Sequence, residues 1–133
     1  LTLSAGAQGM PQTQLQRATL NAGMHLIQVQ LAQDFEQRQI GLMWRKEMPQ
    51  NEGMLFIFDD MRERFFYMKN TKIPLDLIYI NENKHIVSFQ KNAKPYDESS
   101  LPSELPAKYV LEINAGLVDS WHLNVGDSIY YFN

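Results

Sequence analysis

The chain has 133 residues, the size of one ordinary domain, and its 44% hydrophobic and 20% charged residues are globular values. Twelve basic against 15 acidic residues leave a net charge of -3 with no Lys/Arg cluster, which argues against a nucleic-acid partner, and no run reaches the roughly 18 apolar residues of a membrane-spanning helix. Cysteine is absent, which excludes disulfides, thiolate nucleophiles and cysteine zinc sites.

Leu1 to Gln8 reads as the end of a signal peptide, with Ala5-Gly6-Ala7 as a small-x-small cleavage pattern, so a periplasmic or otherwise exported location is expected. Residues 1–23 are rich in Gln, Ala and Gly without a sustained period. They read as a flexible arm, with at most a helical turn at Gln14 to Thr19, ahead of a single globular domain over residues 24–133. His25, Ile27, Val29 and Leu31 alternate with more polar neighbours, the period of a half-buried strand. Asp34 then stands as a helix N-cap with Gln37 completing a capping box, and Phe35, Ile40, Leu42 and Met43 give a helical stripe that ends near Trp44.

Gly53 to Phe58 is a continuous apolar run, which predicts a strand buried on both faces. Asp59 to Glu63 is a turn composition, and Arg64 to Asn70 returns as the next strand, most simply through a hairpin. Leu75 to Ile80 and His85 to Phe89 flank Asn81-Glu82-Asn83-Lys84 and predict a second hairpin. Lys94 to Pro106 has three prolines and no period, so it reads as a long loop. A strand over Tyr109 to Asn114, a short helix within Ala115 to His122 and a last strand over Ser128 to Phe132 complete the chain. The sum is an α+β domain, β-rich and mainly antiparallel, with about seven strands in a partly closed, barrel-like sheet and two short helices.

The stretch from Phe65 to Asp76 places polar residues in the most apolar region. Alternation puts Phe66, Met68 and Asn70 on one side of a strand and Phe65, Tyr67, Lys69 and Thr71 on the other. A lysine among aromatics calls for a partner, and Asp76, just beyond Pro74, is the first choice.

Several segments together resemble domain-of-unknown-function family 192 over residues 26–131. They are Gly41-Leu42-Met43-Trp44-Arg45, Glu52 to Phe58, Phe66 to Asp76 with its Met-Lys-Asn-Thr and Pro-Leu-Asp elements, Tyr109 to Gly116, and Val125-Gly126-Asp127. The resemblance implies a small β-rich bacterial or archaeal domain, frequently with an export signal, and no assigned activity. Tyr67 stands where tryptophan is common in the family. The loop from Lys94 to Pro106 lacks the cysteines of some members, which removes a redox role.

Arg45, Lys69, Asn70, Thr71, Asp76 and Glu112 are the candidate binding residues, and three functions fit them. The first is a non-catalytic binding or accessory module for a small molecule, with its polar site around Lys69, Asn70, Asp76 and Arg45. The second is an enzyme with Asp76 or Glu112 as general base and Lys69 as electrostatic partner. The third is a structural module docking an envelope protein at a sheet edge. The charged residues equally suit an internal ion-pair network, and Asn70 and Thr71 suit a turn. Phe65-Phe66-Tyr67 can form a ligand rim without a motif to support it. Met43, Met48, Met54 and Met68 can bind Cu(I) but also fill cores. No phosphate loop or serine elbow is present, and His25, His85 and His122 match no metal spacing, so neither a cofactor nor a metal is expected.

Overall fold

Alternating apolar residues become strands only where neighbours take up their backbone groups, and here most neighbours are distant in sequence. The structure, a computed structural model, describes residues 9–132. The elements are β1 (Arg17–Ala22), β2 (His25–Ala32), α1 (Phe35–Ile40), β3 (Glu52–Arg62), β4 (Phe65–Phe66), β5 (Leu75–Ile80), β6 (Ile86–Ala93), β7 (Leu101–Pro102), β8 (Ala107–Asn114), α2 (Leu117–Ser120) and β9 (Ile129–Phe132). Among the described residues, seven strands form one curled sheet in the order β6-β5-β8-β3-β2-β1-β9, and β4 pairs with β7 apart from it. Only β2 and β3 run parallel; the other pairs are antiparallel. The two edge strands approach one another at one end, where His85 faces Ser128. There Ile86 N donates to Asp127 O (2.9 Å), Gly126 N to Ile86 O (2.8 Å) and Ile129 N to Lys84 O (2.8 Å). The expected β-rich, partly closed sheet with two short helices is therefore observed. No helix of the described residues is long and apolar enough to cross a membrane.

The central strands β3, β8 and β5 are buried on both faces, and their register sorts side chains into two cores. Leu55, Leu111 and Ile78 lie in one cross-strand row facing the inside of the curl, where they join Leu20, Ile27, Val29, Ile80, Ile113 and Val118. Phe56, Val110 and Tyr79 form the row facing outward, and Met54, Glu112 and Leu77 form the next. This outer face is covered by Leu42, Met48, Met68 and Ile73 from the long connections, so the apolar run at Gly53 to Phe58 has a buried side on both faces. Met48, Met54 and Met68 are 8%, 0% and 1% exposed within that outer core, which assigns these three methionines to packing.

Gly53 marks a close approach between sheet neighbours: a Cβ there would stand 2.6 Å from the backbone oxygen of Glu112 and 3.1 Å from Cγ2 of Ile113. A backbone oxygen in a paired strand has little freedom to withdraw. Gly53→Ala is therefore expected to lower stability by about 1 to 3 kcal/mol, as overpacking does. Urea unfolding followed by tryptophan fluorescence checks this, and a variant within about 0.5 kcal/mol of the parent, the ordinary range for a neutral site, would contradict the close contact.

Several expectations need correction. Arg17–Ala22, expected within a flexible arm, is strand β1, paired with β2 on one side and β9 on the other; Ala18, Leu20 and Ala22 are buried. Their alternation is present in the sequence, but alanine and asparagine are weak strand formers and the drive comes from burial. No helical turn forms over residues 14–19. The hairpin expected between Gly53–Phe58 and Arg64–Asn70 does not form. The chain beyond β3 leaves the sheet, and only Phe65 and Phe66 pair, with Pro102 and Leu101, inside the stretch expected as a loop. Helix α1 has its capping box, with Gln37 N donating to Asp34 Oδ1 (2.8 Å), but it ends at Ile40 because Gly41 turns the chain at φ 51°. The pattern Ala5-Gly6-Ala7 lies outside the described residues.

Candidate functional site

Where the covering layer does not close over the outer face of the sheet, it leaves a cavity of about 340 Å³. Phe56 and Phe58 of β3 and Glu112 of β8 contribute from the sheet, α1 and residues 41–43 from one side, and residues 65–68 with Thr71 from the other. The aromatic lining is interlocked. Phe66 meets Phe56 edge-on at 5.0 Å between centroids and Phe58 at 6.4 Å. Phe58 in turn carries the guanidinium groups of Arg64 at 3.9 Å and Arg38 at 5.0 Å. Phe35 and Phe65 also line the cavity yet are 74% and 66% exposed, and Tyr67 is 42% exposed, so its mouth is apolar. A volume of this size suits a small ligand, and an apolar lining with few polar groups is the usual make-up of such a site.

Glu112 is the acidic residue in this lining. It is 5% exposed, sits between Met54 and Leu77 in its cross-strand row, and makes no hydrogen bond or ion pair with any described residue. Burial alone pushes its carboxyl up to about 8, so the group is mostly protonated at neutral pH. Tyr79 on β5 feels the same carboxyl: its hydroxyl is raised far above the ordinary phenol value, first by burial and then by Glu112, and it donates to Leu101 O (2.5 Å).

The other candidate residues divide. Thr71 is buried and lines the cavity, its hydroxyl donating to Lys69 O (2.9 Å). Asn70 sits beside it at φ 53°, with its carbonyl accepting from Trp44 N (2.8 Å) and its amide 4.0 Å from the Met43 sulfur, which ties the two sides of the cavity together. Arg45 is turned toward the N-terminal segment, where Nη2 donates to Gln12 O (2.8 Å) and to Gln30 Oε1, while its Nε is buried without a partner among the described residues. Burial and the nearby Arg17 lower its affinity for the proton, with Glu52 opposing. Lys69 is exposed and makes no ion pair with Asp76, which corrects the expected pairing.

Asp76 instead points to the inside of the curl and is fully buried. Its Oδ1 accepts from Asn92 N (2.9 Å), and its Oδ2 accepts from Gly116 N (3.0 Å) and Val118 N (2.9 Å). Gly116, the N-cap of α2, has no side chain with which to cap, and Asp76 supplies the missing acceptor from a neighbouring strand. The Pro-Leu-Asp element is thus a device for docking α2 and β6 onto β5.

The model of the family described as Uncharacterized ACR, domain-of-unknown-function family 192, matches residues 17–131. The chain belongs to family 192. No curated protein matches it. Two crystal structures share the fold of this family 192 chain. One, from Sinorhizobium meliloti 1021, is named for a proposed role as a transcription regulator; it is 38% identical with a TM-score of 0.81, over 86% of this chain and 92% of that one. The other, from Novosphingobium aromaticivorans DSM 12444, is of unknown function, 34% identical with a TM-score of 0.82, over 96% and 97% of the two chains.

The cavity of this family 192 domain draws on residues that sequence reasoning assigned elsewhere. Phe56, Phe58 and Met68 read as core, and Phe35 and Met43 as a helical stripe. One signal was available: Glu112 stands between Val110-Leu111 and Ile113 in an apolar strand, where a carboxyl without a basic partner is rare.

Proposed function

We propose that this domain is a small-molecule binding module, non-catalytic, whose site is the aromatic cavity closed off at the sheet by Glu112. The observation that carries the reading is the buried carboxyl facing the cavity without a partner among the described residues. Burying such a group costs free energy that a purely structural domain avoids by placing an apolar residue there. The aromatic rim of Phe65 and Tyr67 belongs to this site, as does Thr71, whereas Arg45 and Asp76 serve the framework around it. The charge balance of -3 lends no support to extending the regulator name of the Sinorhizobium protein to DNA binding here.

The experiment is a thermal-shift screen of metabolites against the parent chain and Glu112→Gln. A ligand that occupies the cavity raises the parent midpoint, by an amount equivalent to about 2.7 kcal/mol at a hundredfold excess over Kd, and raises that of Glu112→Gln much less. Ligands that shift both chains equally would place binding elsewhere.

Catalysis by Glu112 is the second reading, favoured by its raised proton affinity, which suits a general acid or base near neutral pH. The electrostatic partner first considered, Lys69, does not line the cavity. Export remains part of the proposal on the Ala5-Gly6-Ala7 pattern. Fractionation of cells expressing the full-length gene tests it, and a cytosolic product retaining residues 1–7 would end it.

A further inference from the structure

We propose that the ligand of this cavity is an organic cation, an ammonium group carried on a small apolar body, which Glu112 receives among the aromatic rings. The inference rests on the binding role proposed above and assigns the chemistry of its ligand. Three observations carry it. Glu112 presents two acceptor oxygens, is 95% buried by its 5% exposure, and lacks any donor among the described residues. The basic residue on the lining, Arg38, is already committed: its Nη1 donates to Ile57 O (3.0 Å) and to Gln33 O, and its guanidinium lies over Phe58. When this carboxyl ionises, its positive partner must therefore arrive with the ligand. The same cavity is lined by the rings of Phe56, Phe66 and Tyr67, and aromatic faces attract cations strongly once water is excluded.

An anion would instead bring a second negative group toward Glu112, and a neutral acceptor would leave the ring faces unused. Few titratable groups share the cavity with Glu112 or interact with it. Arg38 of α1 and Tyr67 of the connection after β4 line the cavity, and Tyr79 of β5, already donating to Leu101 O, feels the carboxyl. None of them adds a charge that lowers the carboxyl: its displacement to about 8 has burial as its cause. Cation binding must then expel a proton from Glu112 below pH 8. The apparent affinity for a cation should rise about tenfold from pH 6 to pH 7, because the ionised fraction of the empty site rises about tenfold over that step. A neutral acceptor bound to the protonated carboxyl behaves in the opposite sense, flat at low pH and weaker above the titration.

The test uses phenethylamine, 2-phenylethanol and phenylacetate, which share one apolar body and differ in charge, titrated calorimetrically into the full chain at pH 6, 7 and 8 in two buffers of different ionisation enthalpy. The expected result is that phenethylamine binds best, about tenfold more tightly at pH 7 than at pH 6, with release of close to one proton at pH 7. In Glu112→Gln, which presents a neutral amide of the same shape, that pH slope and the proton release should vanish. Preference for 2-phenylethanol or phenylacetate, lost in the same variant, would overturn the cation assignment and leave the binding role standing. A phenethylamine affinity that does not change from pH 6 to pH 8 in the parent would also overturn it. Binding of none of the three at millimolar concentration would overturn both the cation assignment and the binding role.

Discussion

Asp76→Ala is expected to lower the unfolding free energy by about 3 to 5 kcal/mol, because one buried and two part-buried backbone hydrogen bonds lose their acceptor at once, and each orphaned group costs about 1 to 3 kcal/mol with partial relief by water. The donors are Asn92 N, Gly116 N and Val118 N, so the loss should fall on the docking of β6 and α2 together. Asp76→Asn should cost less, since an amide oxygen can still serve Gly116 and Val118 while the amide nitrogen is turned on Asn92 N. Lys69→Met, in contrast, should stay within about 0.5 kcal/mol of the parent, as expected for an exposed side chain without an ion pair. A double-mutant cycle between the two positions should then give a coupling near zero. Urea unfolding of the parent and these four variants measures all of this. An Asp76→Ala variant as stable as the parent, or a coupling energy of several kcal/mol, would contradict the roles assigned to both residues.

Glu112 should make stability depend on pH in a sense opposite to that of most carboxyl groups. Its folded value of about 8 lies above its ordinary value of 4.5, so the folded state holds a proton that the unfolded chain has already released. The stabilisation from this group is fully present below pH 4.5, declines as pH rises, and is gone above about 8. Across that window the slope approaches about 1.4 kcal/mol per pH unit and the total reaches up to about 5 kcal/mol, an upper bound because the cavity admits water. Other carboxyls titrate below that window: Asp60 is held below the usual carboxylate value chiefly by Arg64, and Asp97 by Ser99. The quantity to measure is therefore the difference between the parent and Glu112→Gln across pH 4 to 9. A constant difference would show that Glu112 titrates as an ordinary carboxyl, and the buried, unpartnered environment described above would be wrong.

Features governed by near neighbours were legible in the residues themselves. The capping box of Asp34 and Gln37 needs one turn of chain. The hairpin between β5 and β6 needs a turn, and Asn81 supplies it by accepting from Asn83 N and His85 N, both at 3.0 Å. The alternation of β2, the two-sided burial of β3 and the β-rich class follow from the same local periods. Family membership was legible too, in the spacing of the Gly-Leu-Met-Trp-Arg, Met-Lys-Asn-Thr and Pro-Leu-Asp elements.

Pairing partners were not legible, because the period of a strand states which of its faces is apolar and nothing about which strand lies beside it. Residues 64–70 looked like the return arm of β3, yet β2 and β8 already occupy both edges of that strand, so the returning segment is pushed out of the sheet to cover its outer face. The same displacement separates Lys69 from Asp76: the lysine goes with the covering layer to solvent, while the aspartate stays in β5 and turns inward to α2. Composition, local elements, fold class and family were thus determined by the sequence alone, through interactions that span a few residues. The tertiary structure alone decided that Asp76 is a cap, that Arg45 braces the N-terminal segment, and that Glu112 faces an aromatic cavity without a partner among the described residues. Each of those environments is assembled from strands and loops tens of residues apart, brought together by sheet register and by the burial of both faces of β3, β8 and β5.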